Sequence, residues 1–319
     1  MTARDVILCE CYARDGLQHE PQFVATPVKA DLIQRFAALG FERIEATSYS
    51  NPRVVPQFAD ASQLLGMLPR QPGVWYKATC ANVRAVERAL SDLEAGCGVN
   101  EISLLVSASE SHSLRNLKRS RHDQWDNIAA MVRRAERRFR MVGTISVAFG
   151  CPFEGVVNAG QVQDDVRRFA ELGVGVVTLG DTTGMATPPA VRSLYRRLRQ
   201  EFPQLALVAH FHDTRGTGLA NYVAALEAQV SHFDCAFGGV GGHPDKVKYG
   251  GGHTGNVVTE DLVSLFESMG VRTGLDLAAL PAVSQLCQDT LGRPLHSRVA
   301  ASGLNPLIGT PPQWVEGAA

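Results

Sequence analysis

The stretch VILCECYARDGLQHE, residues 6–20, decides how the chain is read. Its first part, VILCEC, is β-branched and apolar, as a strand should be. No GxGxxG follows it, which argues against a doubly wound dinucleotide-binding sheet. The strand runs instead into Arg14 and Asp15, and then Gly16. An Arg–Asp pair at a strand end is either a structural salt bridge or part of a site. Which of the two depends on whether the same pattern repeats along the chain.

It repeats. Strand-like runs recur at 43–47, 74–78, 101–107, 144–149, 176–180, 205–211 and 232–237, making eight with the first. Helical patterns lie between them, among them 28–40, 82–96, 161–173 and 189–202, and several stop at glycine. Thr26 and Pro27 read as the cap and first turn of the first helix. Eight strand–helix units predict an α/β fold, a closed (β/α)8 TIM barrel. We expect one domain, with the barrel over about 5–272. The segment 259–270 reads as its last helix, and 273–319 as a helical extension and tail.

The 31 Lys+Arg balance 32 Asp+Glu, so no global field favours nucleic acid. The basic segment 115–140 reads as a solvated helix face with its preceding loop. No apolar run reaches the roughly 18 residues of a membrane span. Seven cysteines lack CxxC pairing and fit a reducing compartment. The N-terminal MTARDVILCE enters a strand at once, without the pattern of a targeting peptide. The expectation is a cytoplasmic protein with small-molecule partners.

In such a barrel chemistry sits where the strands end. The seventh strand ends in AHFHDTRG, residues 209–216. His210 and His212 are two apart, so both point the same way. At the mouth that direction is inward. Asp15 would be a neighbour if the barrel closes between the eighth strand and the first. Asn256 follows the eighth strand. Asp, two His and Asn would form a mixed shell suited to Mg²⁺ or Mn²⁺, with Zn²⁺, Fe²⁺ or Co²⁺ as alternatives. Glu45 and Asp181 stand at the ends of the second and sixth strands, as ligand contacts, supports or loop anchors.

The motifs ARDGLQHE, ATPVK, IEATSYSNPRVVPQFAD, SLLVSASE, FGCPFEG, GDTTGMATP, HFHDTRG, GGVGGHP and GNVVTED occur in order over nearly the whole chain. Together they resemble the 3-hydroxy-3-methylglutaryl-CoA lyase family. The resemblance implies a divalent-metal-dependent, retro-Claisen-type cleavage of a 3-hydroxyacyl-CoA thioester to acetyl-CoA and a keto acid. It assigns the metal to Asp15, His210, His212 and Asn256. It places Arg14 as the enolate-stabilising cation beside Asp15 and His210 in the catalytic group. Gln18, Glu45 and Asp181 fall at motif positions of the family's site. Alternatives are a citramalyl-CoA or longer-chain lyase, a condensing synthase or aldolase, and a non-catalytic CoA-binding homologue. Barrels of this kind often form homodimers, though no stretch here marks an interface.

The chain departs from the family at one position. Where the family has a catalytic cysteine in GGxGGCP, this sequence reads GGVGGHP and places His243. His243 is expected to replace the thiol as proton carrier, since imidazole titrates nearer neutrality. The longer loop that follows brings Lys246 and Lys248, candidates for a carboxylate or the CoA phosphates, and also Tyr249 and His253.

Overall fold

The computed structural model describes residues 4–242 and 255–310. Eight parallel strands pair in chain order and close into a barrel. They are β1 (Ile7–Glu10), β2 (Arg43–Ser48), β3 (Trp75–Cys80), β4 (Glu101–Ser107), β5 (Arg140–Ser146), β6 (Val176–Asp181), β7 (Ala206–Phe211) and β8 (His232–Cys235). Closure runs through β1, which pairs Cys9 with Arg43 of β2 and Glu10 with Cys235 of β8.

Helices α1 (Thr26–Leu39), α2 (Ala61–Met67), α3 (Val83–Glu94), α4 (Arg121–Ala135), α5 (Ala159–Glu171), α6 (Pro188–Glu201), α7 (Gly218–Glu227) and α8 (Thr259–Ser268) follow the strands in turn. Their starts have local causes. Asn82 accepts the Ala85 N–H at the head of α3, and Ser120 accepts that of Asp123 at the head of α4. Apolar faces such as Ala85, Val86, Ala89 and Leu90 then bury against the sheet. Two more helices, α9 (Leu280–Leu291) and α10 (Arg298–Ser302), form the extension. Tyr12 donates to the Cys287 carbonyl at 2.7 Å, so α9 packs under the end of β1. No helix among the described residues is long and apolar enough to cross a membrane.

The structure shifts two details. β5 begins at Arg140 and stops at Ser146, not at 144–149. Val147 has a φ of 52°, a left-handed conformation that ends the strand. Its N–H donates to Thr182 Oγ1 at 2.9 Å. In α1, Ala25 holds the cap position and Thr26 is already helical, with no side-chain cap. The basic segment carries α4, which buries Trp125, Ile128 and Met131 and leaves Arg133 and Arg134 exposed.

The inside of the barrel is largely ionic. Val142, Val176 and Val208 form a small apolar cluster of their own. Arg43, Lys77, Glu101 and Asp234, from β2, β3, β4 and β8, are at most 3% exposed. Arg43 reaches Asp234 at 3.7 Å and Lys77 reaches it at 3.8 Å. β2 and β3 are not neighbours of β8, so these contacts cross the interior.

Candidate active site

β1 gives way to a tight turn over Tyr12–Gly16, closed by the Gly16 N–H on the Cys11 carbonyl at 3.1 Å. The turn sets Arg14 and Asp15 at the barrel mouth. A Cβ on Gly16 would lie 2.6 Å from Val240 Cγ2, so the glycine lets the loop after β8 come close.

His210 ends near the top of β7 and His212 follows it. Their Nε2 atoms lie 3.2 Å apart. His212 Nε2 is 3.5 Å from Asp15 Oδ2. Asn256 arrives by a different route. The chain after the long loop runs back along the end of β7, with an antiparallel bridge between Asn256 and His212. The Val257 N–H donates to the Phe211 carbonyl at 3.2 Å, and the Asp213 N–H to the Gly255 carbonyl at 2.8 Å. Asn256 Nδ2 then donates to Asp15 Oδ2 at 2.7 Å and to the Val240 carbonyl at 3.0 Å. The structure thus brings together all four residues expected to hold a metal.

The donor set fits a divalent cation. One atom each of Asp15, His210 and His212 lie within 4.8 Å of one another. Asn256 Oδ1 is buried with no hydrogen-bond partner among the described residues. It is an amide oxygen beside a carboxylate and two imidazoles, an arrangement suited to Mg²⁺ or Mn²⁺. Asp234 Oδ2 stands 3.3 Å from His210 Nδ1 and orients the ring so that Nε2 faces the other donors.

The charges are fixed by their neighbours. Burial alone would raise the Asp15 carboxyl. The Arg14 charge and the bond from His212 outweigh it and hold Asp15 well below the usual range. Burial likewise opposes ionisation of Glu45, yet Arg14 and Lys77 bring it down. Asp234 is also depressed against its burial, chiefly by Lys77 and His210. Lys77 is raised despite burial, held charged chiefly by Asp234 and also by Glu45. His210 is raised against burial by Asp234.

Arg14 is clamped on two sides. Its Nη1 pairs with Asp15 Oδ1 at 2.9 Å and donates to Gln18 Oε1 at 3.3 Å. Its Nε lies 2.7 Å from Glu45 Oε1. Glu45 also accepts from Thr79 Oγ1 at 2.8 Å. Glu45 and Gln18 are therefore gathered around Arg14. Asp181 is set otherwise: its oxygens accept the Met185 and Ala186 N–H groups at 2.8 and 3.0 Å, tying the loop after β6. His243, Lys246 and Lys248, with Tyr249 and His253, lie outside the described residues.

Lys77, Thr79 and Asp234 lie against the candidate site residues Glu45 and His210, and the sequence alone did not single them out. Lys77 and Thr79 share one face of β3, and Asp234 is a lone acid in the strand HFDC. A check of which face each charged strand residue occupies finds them. A cleft of about 860 Å³ at the opposite end lies where Arg140, Val176 and Ala206 begin their strands. It is remote from these groups, and barrels work at the other face.

A closed barrel whose mouth holds a converging Asp–His–His–Asn set beside a clamped arginine belongs to an enzyme, and the comparisons make it a carbon–carbon lyase. The HMGL-like family matches residues 5–287, and the chain belongs to that family. It is 35% identical to the mitochondrial hydroxymethylglutaryl-CoA lyase of Macaca fascicularis over 93% of this chain and 89% of that one. It is 36% identical to the (R)-citramalyl-CoA lyase of Chloroflexus aurantiacus over 93% and 95%. Among solved structures, an HMG-CoA lyase from Acinetobacter baumannii in complex with coenzyme A and 3-methylmalate superposes with a TM-score of 0.87. That pair shares 35% identity, covering 96% of this chain and 98% of that one.

Proposed function

We propose that the protein cleaves 3-hydroxy-3-methylglutaryl-CoA, or a close 3-hydroxyacyl-CoA relative, to acetyl-CoA and a keto acid. The observation that carries this reading is the convergence of Asp15, His210 and His212 beside Arg14. Asp15, His210, His212 and Asn256 would hold Mg²⁺ or Mn²⁺. When bound, such a cation polarises the substrate hydroxyl and makes its proton easier to remove.

The chain's own groups then have defined tasks. A base takes the tertiary hydroxyl proton, the C2–C3 bond breaks, and the oxygen is left as a ketone. The bonding pair becomes the enolate of acetyl-CoA. Arg14 supplies a preorganised positive charge for that oxyanion. Asp15 lies against Nη1 and Glu45 against Nε, and Nη2 is the donor we assign to the substrate. An acid finally protonates the enolate carbon, and His243 is the group we assign to move that proton. Lys246 and Lys248 are assigned to the anionic ends of the thioester. Gln18 steadies Arg14, and Asp181 shapes the substrate side through its loop. Seven free cysteines fit the reducing compartment we assign, the cytoplasm.

Cleavage of citramalyl-CoA is the second reading: a citramalyl-CoA lyase stands among the relatives at the same identity as hydroxymethylglutaryl-CoA lyases, and His243 stands in place of the family cysteine. One assay separates the two. Each thioester is supplied with Mn²⁺, and acetyl-CoA, acetoacetate and pyruvate are measured separately. Acetoacetate with acetyl-CoA supports the first reading, and pyruvate with acetyl-CoA the second. Full activity after exhaustive chelation would sink the metal assignment.

A further inference from the structure

Beneath the mouth, buried charges alternate in an unbroken line. Glu101 pairs with Arg43 at 2.8 Å, and Arg43 lies 3.7 Å from Asp234. Asp234 lies 3.8 Å from Lys77 Nζ, which lies 3.7 Å from Glu45 Oε1. Glu45 meets Arg14 at 2.7 Å, and Arg14 meets Asp15 at 2.9 Å. Lys77 is the middle link. On one side of it Glu45 clamps Arg14. On the other Asp234 orients His210 at 3.3 Å. No other described cation lies within ion-pair distance of both carboxylates.

We infer that Lys77 is a positioning residue that fixes Arg14 and His210 relative to one another. The reaction needs the cation-binding imidazole and the oxyanion-stabilising guanidinium at a set separation, because the substrate spans both. Those groups come from β7 and from the turn after β1, and no strand pairing joins their side chains. Lys77 joins them through two carboxylates. Without its charge, Glu45 and Asp234 face each other across the interior and repel. Glu45 would follow Arg14, and Asp234 would swing toward Arg43 and release His210. Lys77 itself is 3% exposed, and its ammonium faces these two carboxylates.

The inference rests on the lyase reading above, so the test separates the two. Wild type that binds no Mn²⁺ and cleaves no acyl-CoA thioester refutes that reading. For Lys77, Mn²⁺ affinity is measured by titration and kcat and KM by steady-state kinetics, on Lys77→Met and Lys77→Gln. Orienting partners of metal ligands change affinity or activity by about 10–100-fold. We expect Mn²⁺ Kd and kcat each to worsen by at least about 10-fold, with thioester KM within roughly 3-fold. Folded variants with wild-type Kd and kcat would overturn the inference. If neither uncharged variant folds, Lys77→Arg decides. Its planar fork keeps the charge but displaces both carboxylates, so kcat should fall about 10-fold in a variant that still folds. Wild-type kcat and Mn²⁺ affinity in Lys77→Arg would overturn the inference equally.

Discussion

Arg14 Nε lies 2.7 Å from Glu45 Oε1, and the Glu45 side chain is 1% exposed. The guanidinium is thus held from below by a carboxylate that water does not reach. Such a clamp removes rotamer freedom before substrate arrives, which is what an electrostatic stabiliser requires.

The first prediction concerns that guanidinium. Arg14→Lys keeps the charge but loses the fork that meets Asp15 and Glu45 together. We expect kcat to fall by about 10²–10³-fold, the scale of a lost oxyanion donor. Thioester KM should change little and Tm should hold. A variant within 3-fold of wild-type kcat would remove Arg14 from the chemistry.

A second prediction concerns Gly241. Its φ is 115°, and a Cβ there would stand 2.4 Å from Asn256 Nδ2. Gly241→Ala should push Asn256 away from Asp15 Oδ2 and weaken Mn²⁺ binding by about 10-fold or more. Mn²⁺ titration checks it directly, without turnover. Unchanged affinity would mean that the turn after β8 yields more easily than its geometry indicates.

The third is a pH effect at the other end of the barrel. His232 sits among Arg43 of β2, Arg140 of β5 and Asp234 of its own strand, with Ser231 Oγ 3.0 Å from its Nδ1. Burial, with help from the two arginines, lowers its pKa to about 4. The unfolded chain takes up this proton near pH 6.5 and the folded chain only near 4. Between those values the unfolded state binds more protons, so stability is present above about 6.5 and is lost as pH falls toward 4. The full contribution is at most roughly 3 kcal/mol. His232→Gln should flatten Tm against pH in this window. Parallel curves for variant and wild type would refute it.

Much of this was legible in the sequence, for a physical reason. Strands and helices leave different periods, and eight alternations admit few topologies. The convergence at the mouth was readable because His210 and His212 share a face at spacing two and because closure puts Asp15 beside them. β5 slipped because nothing in GTISVAF announces that Val147 will adopt a positive φ. Lys77 and Asp234 were not read because a lone charge in a strand looks like an exception. Only closure shows that β3 and β8 aim theirs at the same point. The loop residues His243, Lys246 and Lys248 gave chemistry by type alone, without a place.

The ionic interior carries a consequence for altering this enzyme. Exchanging buried ion pairs for well-packed apolar side chains of similar volume often leaves a protein equally or more stable. Filling the space of Arg43, Glu101, Lys77 and Asp234 with leucine and methionine is therefore an obvious route to a hardier barrel. Here the same exchange would cut the supports of Arg14 and His210. Selection for heat resistance and selection for turnover should pull these four positions in opposite directions, and thermostabilising changes compatible with activity should fall on the helical shell instead.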